Sequence, residues 1–315
     1  MTLAITRRAL GAGLLAMPAL ARAATDRVRI GYQKNGSLPL LKQQRRLEAA
    51  GLDADWAEFP SGPPLLEALN AGAVDFGATG DTPPIFAQAA GSRLLYVGGQ
   101  PVTGRNEAVL VRADGPIKTI ADLRGKAVAF ARGSSAHYVI VKVLQKAGLG
   151  IADVKPLYMQ PPDAGAAFRT GAIDAWSIWD PFYAMAETEP GTRVLTSAEG
   201  IAPSNSFFLA SRDFAARAPR ALQTVLDQIN AVAAWAQANP EPLAEALSAV
   251  TGVPLPVQRV SAARGIYIAQ PIDDAIIARQ QEVADTFAAL HIIPAKVDIR
   301  SAVWRPQTKQ ASNTP

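Results

Sequence analysis

Three short loops carry residue types that can hold an anion without a metal: "PSGPP" (60–64), "TGDTPP" (79–84) and "RGSSAH" (132–137). Each sets glycine and a hydroxyl just ahead of a helical pattern. A helix start presents unpaired backbone N–H groups and a partial positive charge. Ser61, Thr79, Ser134 and Ser135 can add hydroxyl donors, while Gly62, Gly80 and Gly133 let an anion approach the backbone. One such loop alone is an ordinary N-cap. Three at strand ends in one chain point to an anion site. Asp81 and Asp180 stand just before proline-led helix starts, where a carboxylate serves as a cap. A bare carboxylate would repel a bound anion, although either can still meet a cationic amine elsewhere on a ligand.

Covalent and metal chemistry is poorly supplied. The chain has no cysteine, which excludes disulfides, thiolate zinc sites, iron–sulfur clusters and cysteine nucleophiles. The two histidines, His137 and His291, begin no ligand-spaced motif. No G-x-S-x-G elbow, P-loop or G-x-G-x-x-G is present. Only a carboxylate pair assembled in space would remain for catalysis. The expectation is a binding protein with no catalytic residues, metal or cofactor. His137 would orient a ligand or lie on a helix surface.

The elements that position the loops are written twice. "EALNAGAVDFGATGDTPP" (67–84) and "AAFRTGAIDAWSIWDPFY" (166–183) share a skeleton. Gly72 and Gly171, Asp75 and Asp174, and Asp81 and Asp180 each stand 99 positions apart. Each copy reads strand, helix, strand, turn, helix, strand, helix. Helices are expected from Leu40 to Gly51, over "LLEALNAG", "DTPPIFAQAAG", "AAFRTG" and "DPFYAMAE", and up to Gly148. "QPPDAG" reads as a turn. Alternation of this kind argues mainly parallel α/β sheets with binding loops at the strand ends. In the second copy, Trp176 and Trp179 are three apart on one strand and so point to opposite faces. One belongs in the core and the other, near the strand end, can reach a cleft; alternation does not say which.

At 315 residues, two lobes are the default. The division expected is a discontinuous first lobe (26–110 plus 212–305), a continuous second lobe (111–211), a two-strand hinge and a polar tail (306–315). From Ala215 onward the pattern is helical over "RALQTVLDQINAVAAWAQAN", "PEPLAEALSAVTG" and "DAIIARQQEVADTFAAL". The first 23 residues read as an export signal: Arg7 and Arg8, an apolar run from Ala9 to Leu20, and Ala21-Arg22-Ala23. "TRRAL" resembles a twin-arginine signal. Without Arg7, Arg8 and Arg22 the net charge of +4 falls to +1, so no basic footprint for nucleic acid remains.

"RIGYQK", "FPSGPPLLEALNAGAVDFGATGDTPPIFAQAAG", "PIKTIADLRGKAVAFARGSSAH", "DAWSIWDPFY" and "KVDIRSAVWRP" together resemble the aliphatic sulfonate-binding proteins of bacterial ABC importers. The resemblance runs from about Val28 to Pro306. It implies a type II periplasmic-binding-protein fold and a monomeric receptor, exported and cleaved near Ala23, that closes on an alkanesulfonate and delivers it to a membrane permease for sulfur uptake. Carried over residue by residue, it implies a pocket of Gln33, Ser61, Gly62, Thr79, Gly80, Gly133, Ser134, Ser135, His137 and Trp176. Arg132 becomes a charge partner, and Trp176, Phe182 and Phe207 become an apolar wall. The loop "GGQPVTGRNE" (98–107) departs from the family pattern. The alternatives are a receptor for another small anion, taurine or nitrate, or an enzyme on the same scaffold.

Overall fold

The computed structural model describes residues 27–305. The export signal and the tail from 306 lie outside the described residues. The chain runs β1 (Arg27–Tyr32), α1 (Leu38–Gln43), α2 (Arg46–Ala49), β2 (Asp53–Glu58), α3 (Gly62–Asn70), β3 (Phe76–Thr79), α4 (Thr82–Ala89) and β4 (Leu94–Pro101). It crosses to β5 (Glu107–Arg112), β6 (Ala127–Phe130), α5 (Ser135–Lys146), β7 (Lys155–Tyr158), α6 (Pro161–Arg169), β8 (Ala175–Trp179), α7 (Phe182–Glu187) and β9 (Thr192–Ser197). It then returns through β10 (Asn205–Ser211) to α8 (Arg212–Arg217), α9 (Pro219–Ala238), α10 (Pro240–Thr251), α11 (Leu255–Arg264) and α12 (Asp274–Ala289).

The strands form two five-stranded sheets, ordered β2-β1-β3-β10-β4 and β7-β6-β8-β5-β9. The orders are the same permutation, and in each sheet one strand, β10 or β5, runs against the other four. That antiparallel strand is the one arriving from the other unit. The sheet content therefore moves the expected boundaries: residues 107–110 belong with the second sheet and 205–211 with the first. The crossings lie at 101–107 and 197–205, because a strand entering from the other unit completes the sheet it enters.

The repeat is visible in three dimensions. α3 and α6 begin and end at the same 99-residue offset, and so do the starts of β3 and β8. Asp75 and Asp174 do the same work in each copy. Asp75 Oδ2 accepts from the Arg29 backbone N–H at 3.0 Å, and Asp174 Oδ2 accepts from that of Ala127 at 2.8 Å. Each ties the start of one parallel strand to its neighbour. Only the first is also gripped by arginines, Arg29 at 2.8 Å and Arg217 at 2.7 Å.

Two local expectations change. The helix from Leu40 is broken in two at Arg45, whose φ of 49° lies in the left-handed region. "QPPDAG" is the first turn of α6, since Pro161 and Pro162 occupy positions where helical N–H groups have no partner anyway. α9 and α10 supply Leu222, Val225, Ile229, Leu243 and Leu247 to a core shared with Val28 and Ile30 of β1. Each such fully buried side chain contributes roughly 1.5–3 kcal/mol. That cover holds the first sheet rigid behind its loops.

Candidate functional site

The loops after β1, β3, β6 and β8 converge where the two units meet, and the cleft between them is closed. Ser61 Oγ donates to Gln160 Oε1 at 2.8 Å across the divide. Asn35 Nδ2 donates to the Asp180 carbonyl at 3.2 Å. A Cβ added to Gly80 would lie 2.9 Å from the Ser135 Cβ, so only glycine permits that approach.

Two adjoining hollows occupy this meeting. The first, about 100 Å³, is polar and takes Gln33, Gly62, Thr79, Gly80 and Asp81 from one unit. Glu107, Ser134, Ser135, Trp179 and Asp180 come from the other, and Arg264 and Tyr267 from α11 and the segment after it. The second, about 470 Å³, is apolar and lined by Phe59, Pro60, Pro161, Pro162, Phe168, Trp176, Phe182 and Met185. Gln33 and Trp179 border both hollows. A ligand with a compact polar head and a larger apolar tail matches that pairing.

The expected site residues divide between these walls and the surrounding protein. Gln33, Gly62, Thr79, Gly80, Asp81, Ser134, Ser135 and Asp180 come together on the polar cavity. Two of the hydroxyls are already committed: Ser134 Oγ donates to the Ala131 carbonyl at 2.7 Å and Thr79 Oγ1 to that of Gly80 at 2.9 Å. Ser61 does not line either hollow; it is fully buried in its bond to Gln160. Trp176 borders only the apolar hollow, against Phe168 and Gly165, and Trp179 is the tryptophan on the polar cavity. Both tryptophans border the apolar hollow.

Four expectations are corrected outright. His137 is 1 % exposed among Phe130, Phe86 and Phe287, and it borders neither hollow. Burial, aided by Arg132, pushes its pKa down to about 4, so the ring is neutral. Its Nδ1 accepts from the Gly133 N–H at 3.3 Å, which shapes the loop from behind. Gly133 itself is off the cavity; its φ of +73° and its approach to Phe86 are why it is glycine. Arg132 is exposed and lies over the Tyr158 ring at 5.7 Å, away from both hollows. Phe207 is core, packed edge-on to Tyr96 at 5.0 Å, because its strand lies between β3 and β4 in the first sheet.

Neither aspartate is a simple cap. Asp81 makes no side-chain bond to the α4 backbone; its Oδ1 accepts from the Thr82 hydroxyl at 2.8 Å. Asp180 Oδ1 does accept from the Ala184 N–H in α7, at 2.9 Å, and meets Arg264 at 3.4 Å. In both, Oδ2 is buried without a partner. Burial pushes both carboxyls up to about 6.

Sequence reasoning missed Glu107 and Arg264. Glu107 is 4 % exposed on the polar cavity, and burial together with Asp81 pushes it up to about 8. Its signal was a lone acid at the head of the apolar run "NEAVLVR". Arg264 ends α11, bonds Asp180 and Glu187, and stacks over Tyr183 at 4.1 Å. Nothing in "LPVQRVSAAR" marks it, since α11 has no apolar stripe at helical spacing.

Comparison with known proteins decides the ancestry. The NMT1/THI5-like family model matches residues 47–242. The chain belongs to this family. Over 302 residues this NMT1/THI5-like chain is 41% identical to an aliphatic sulfonates-binding protein of Escherichia coli strain K12, covering 94% of the chain and 95% of the relative. It superposes on the alkanesulfonate-binding protein SsuA of Xanthomonas axonopodis pv. citri, solved bound to MOPS, with TM-score 0.86 and 42% identity, covering 90% of this chain and all of that one. For the periplasmic aliphatic sulphonate-binding protein SsuA of Escherichia coli the TM-score is 0.82 at 40% identity, covering 93% and 96%. These relatives are binding proteins, and the resemblance read from the sequence leads to the same family.

Proposed function

We propose that the protein is a periplasmic receptor that closes on an organosulfonate and hands it to an ABC permease. The observation that carries this is a small polar cavity, lined from both units, opening into a larger apolar hollow past Trp179. A sulfonate is a compact monoanion with three acceptor oxygens and an apolar tail, which matches that division. Donors on the polar cavity are the Ser135 hydroxyl, the buried and unpartnered Asn205 Nδ2, Arg264, and the first backbone N–H groups of α5. The tail would run past Trp179 toward Trp176 and Phe182.

Because both units contribute walls, bound ligand favours the closed state over an open one. The Ser61–Gln160 and Asn35–Asp180 bonds join the two units and add to the closed state. A monomer exported by the amino-terminal signal and cleaved near Ala23 completes the reading.

Titration calorimetry of the purified protein with a series of alkanesulfonates, taurine, sulfate and nitrate tests it. Micromolar or tighter binding of at least one sulfonate, returned chemically unchanged, is the expected result. Tight nitrate or sulfate binding with no response to any sulfonate overturns it. Cell fractionation and the mass of the mature chain check the export step.

A further inference from the structure

The polar cavity is lined by more acid than an anion site can tolerate in ionised form. Asp81, Glu107 and Asp180 reach it from three different parts of the chain, none more than 4 % exposed. Arg264 is the one cation on its wall among the described residues, and Asp180 and Glu187 already engage it. Asp180 thus has a counter-charge. Asp81 and Glu107 form no ion pair among the described residues. Asp81 Oδ1 accepts from the Thr82 hydroxyl, while its Oδ2 is buried without a partner. Glu107 stands beside Ser135, a donor on the same cavity. A sulfonate offers only acceptor oxygens, so an ionised carboxylate next to it in a closed cleft sets like charge against like.

We propose that Asp81 and Glu107 hold the sulfonate in their protonated form, each donating its O–H to a sulfonate oxygen, so that ligand binding takes up protons from solvent. This rests on the receptor reading and deepens it by adding two donors to the head-group site. A carboxylic acid kept neutral by a buried surround becomes a hydrogen-bond donor. Protonation turns the orphaned Asp81 Oδ2 from an unpaired acceptor into such a donor. With both groups neutral, the sulfonate no longer faces an excess of negative charge. Each proton passes from solvent to one carboxylate oxygen, and no other bond changes.

The other ionisable groups around the pair are Asp180, Arg264 and Tyr267 on the cavity wall, Tyr96 and Tyr138 near Asp81, and Tyr183 and Glu187 near Asp180. His137 of α5 lies behind the loop and is neutral. Burial pushes all four tyrosines above their ordinary range, so they stay neutral too. Burial pushes Asp81 up to about 6, and burial together with Asp81 pushes Glu107 up to about 8, before any ligand arrives. A bound sulfonate raises both further, because its charge disfavours theirs. The bound state therefore holds more protons than the free one. Affinity is full below the free-state values and falls as pH rises past them, by about tenfold per pH unit for each proton taken up.

Titration calorimetry of the whole mature protein with butane-1-sulfonate, which stays ionised throughout, tests this at pH 6, 7 and 8. Two sulfonate-free buffers of different ionisation enthalpy give the proton count alongside the affinity. The expected result is net proton uptake and a Kd that rises about tenfold or more from pH 6 to pH 8. Glu107→Gln keeps an N–H donor that needs no proton, so uptake falls and affinity at pH 8 exceeds that of the natural protein. Asp81→Asn lowers uptake in the same sense. No net uptake with a Kd flat or falling from pH 6 to pH 8 overturns the inference and leaves the receptor reading intact, and the natural protein alone decides that. Full uptake retained in both variants overturns it equally. No binding of butane-1-sulfonate or any other sulfonate at any of the three pH values overturns both.

Discussion

The two copies of the repeat keep the same aspartates and surround them differently. Asp75 is 2 % exposed and held by Arg29 and Arg217, while Asp174 in the same place of the second sheet is solvent-exposed and accepts one backbone N–H. The loops that follow differ in the opposite sense. Asp81 and Asp180 are alike in burial and in their unpartnered oxygens, but the strand leading to Asp81 ends in glycine and threonine and the one leading to Asp180 ends in tryptophan. The strand-tying position was free to diverge because β10 and α8 bring Arg217 to only one copy. The loop position stayed alike because both loops face one shared cavity.

The largest effect that can break this comparison is on stability. Asp75→Ala leaves Arg29 and Arg217 without their carboxylate and should cost about 3 kcal/mol, against less than about 1 kcal/mol for Asp174→Ala, in urea unfolding. Equal costs would mean that the arginines add nothing. Burial alone would raise the Asp75 carboxyl, but Arg29 and Arg217 hold it below its usual range. Its contribution is therefore present at neutral pH and lost as pH falls through that lowered value.

Asp81, Asp180 and Glu107 act with the opposite sign. Their folded-state pKa values are raised, to about 6, 6 and 8, so the folded protein holds more protons than the unfolded chain between pH 4 and 8. The unliganded protein should lose stability continuously on going from pH 5 to pH 8, read by denaturant melts at each pH. A flat profile would show that both loops admit enough water to solvate their acids. Trp179→Ala removes the ring shared by the two hollows and should weaken sulfonate binding about 30-fold, roughly 2 kcal/mol. Trp176→Ala, which touches only the apolar hollow, should weaken short sulfonates much less. The smallest effect comes from Gly80→Ala, whose Cβ meets Ser135 and impedes closure. Affinity should fall about tenfold, and small-angle scattering should show a larger open fraction at saturating ligand.

The sequence made the scaffold legible because two copies check each other. A helix stop, an aspartate and a helix start recurring at one interval fix register in a way no single copy can. The loop residues themselves were named from glycines and hydroxyls set ahead of helix starts and from the family resemblance. What stayed hidden came from outside the repeat. Arg264 arrives on a helix with no apolar stripe, and Glu107 sits in a crossing strand that read only as a hinge. His137 was misjudged because "GSSAH" looks like a polar loop in one dimension. Its neighbours Phe86 and Phe287, which make it a core residue, come from the other unit and from α12.

The Ser61–Gln160 hydrogen bond joins residues 99 apart, the interval of the repeat itself. A position that touches its own counterpart can lie only on the pseudo-dyad relating the two copies. The symmetry axis of the repeat therefore passes through the buried contact between the two units, at the paired starts of α3 and α6. A ligand lodged beside that axis is approached by related backbone from both sides, although no symmetric ligand is required. Duplication thus furnished the jaws already aligned, and what remained to evolve was the chemistry of each tooth.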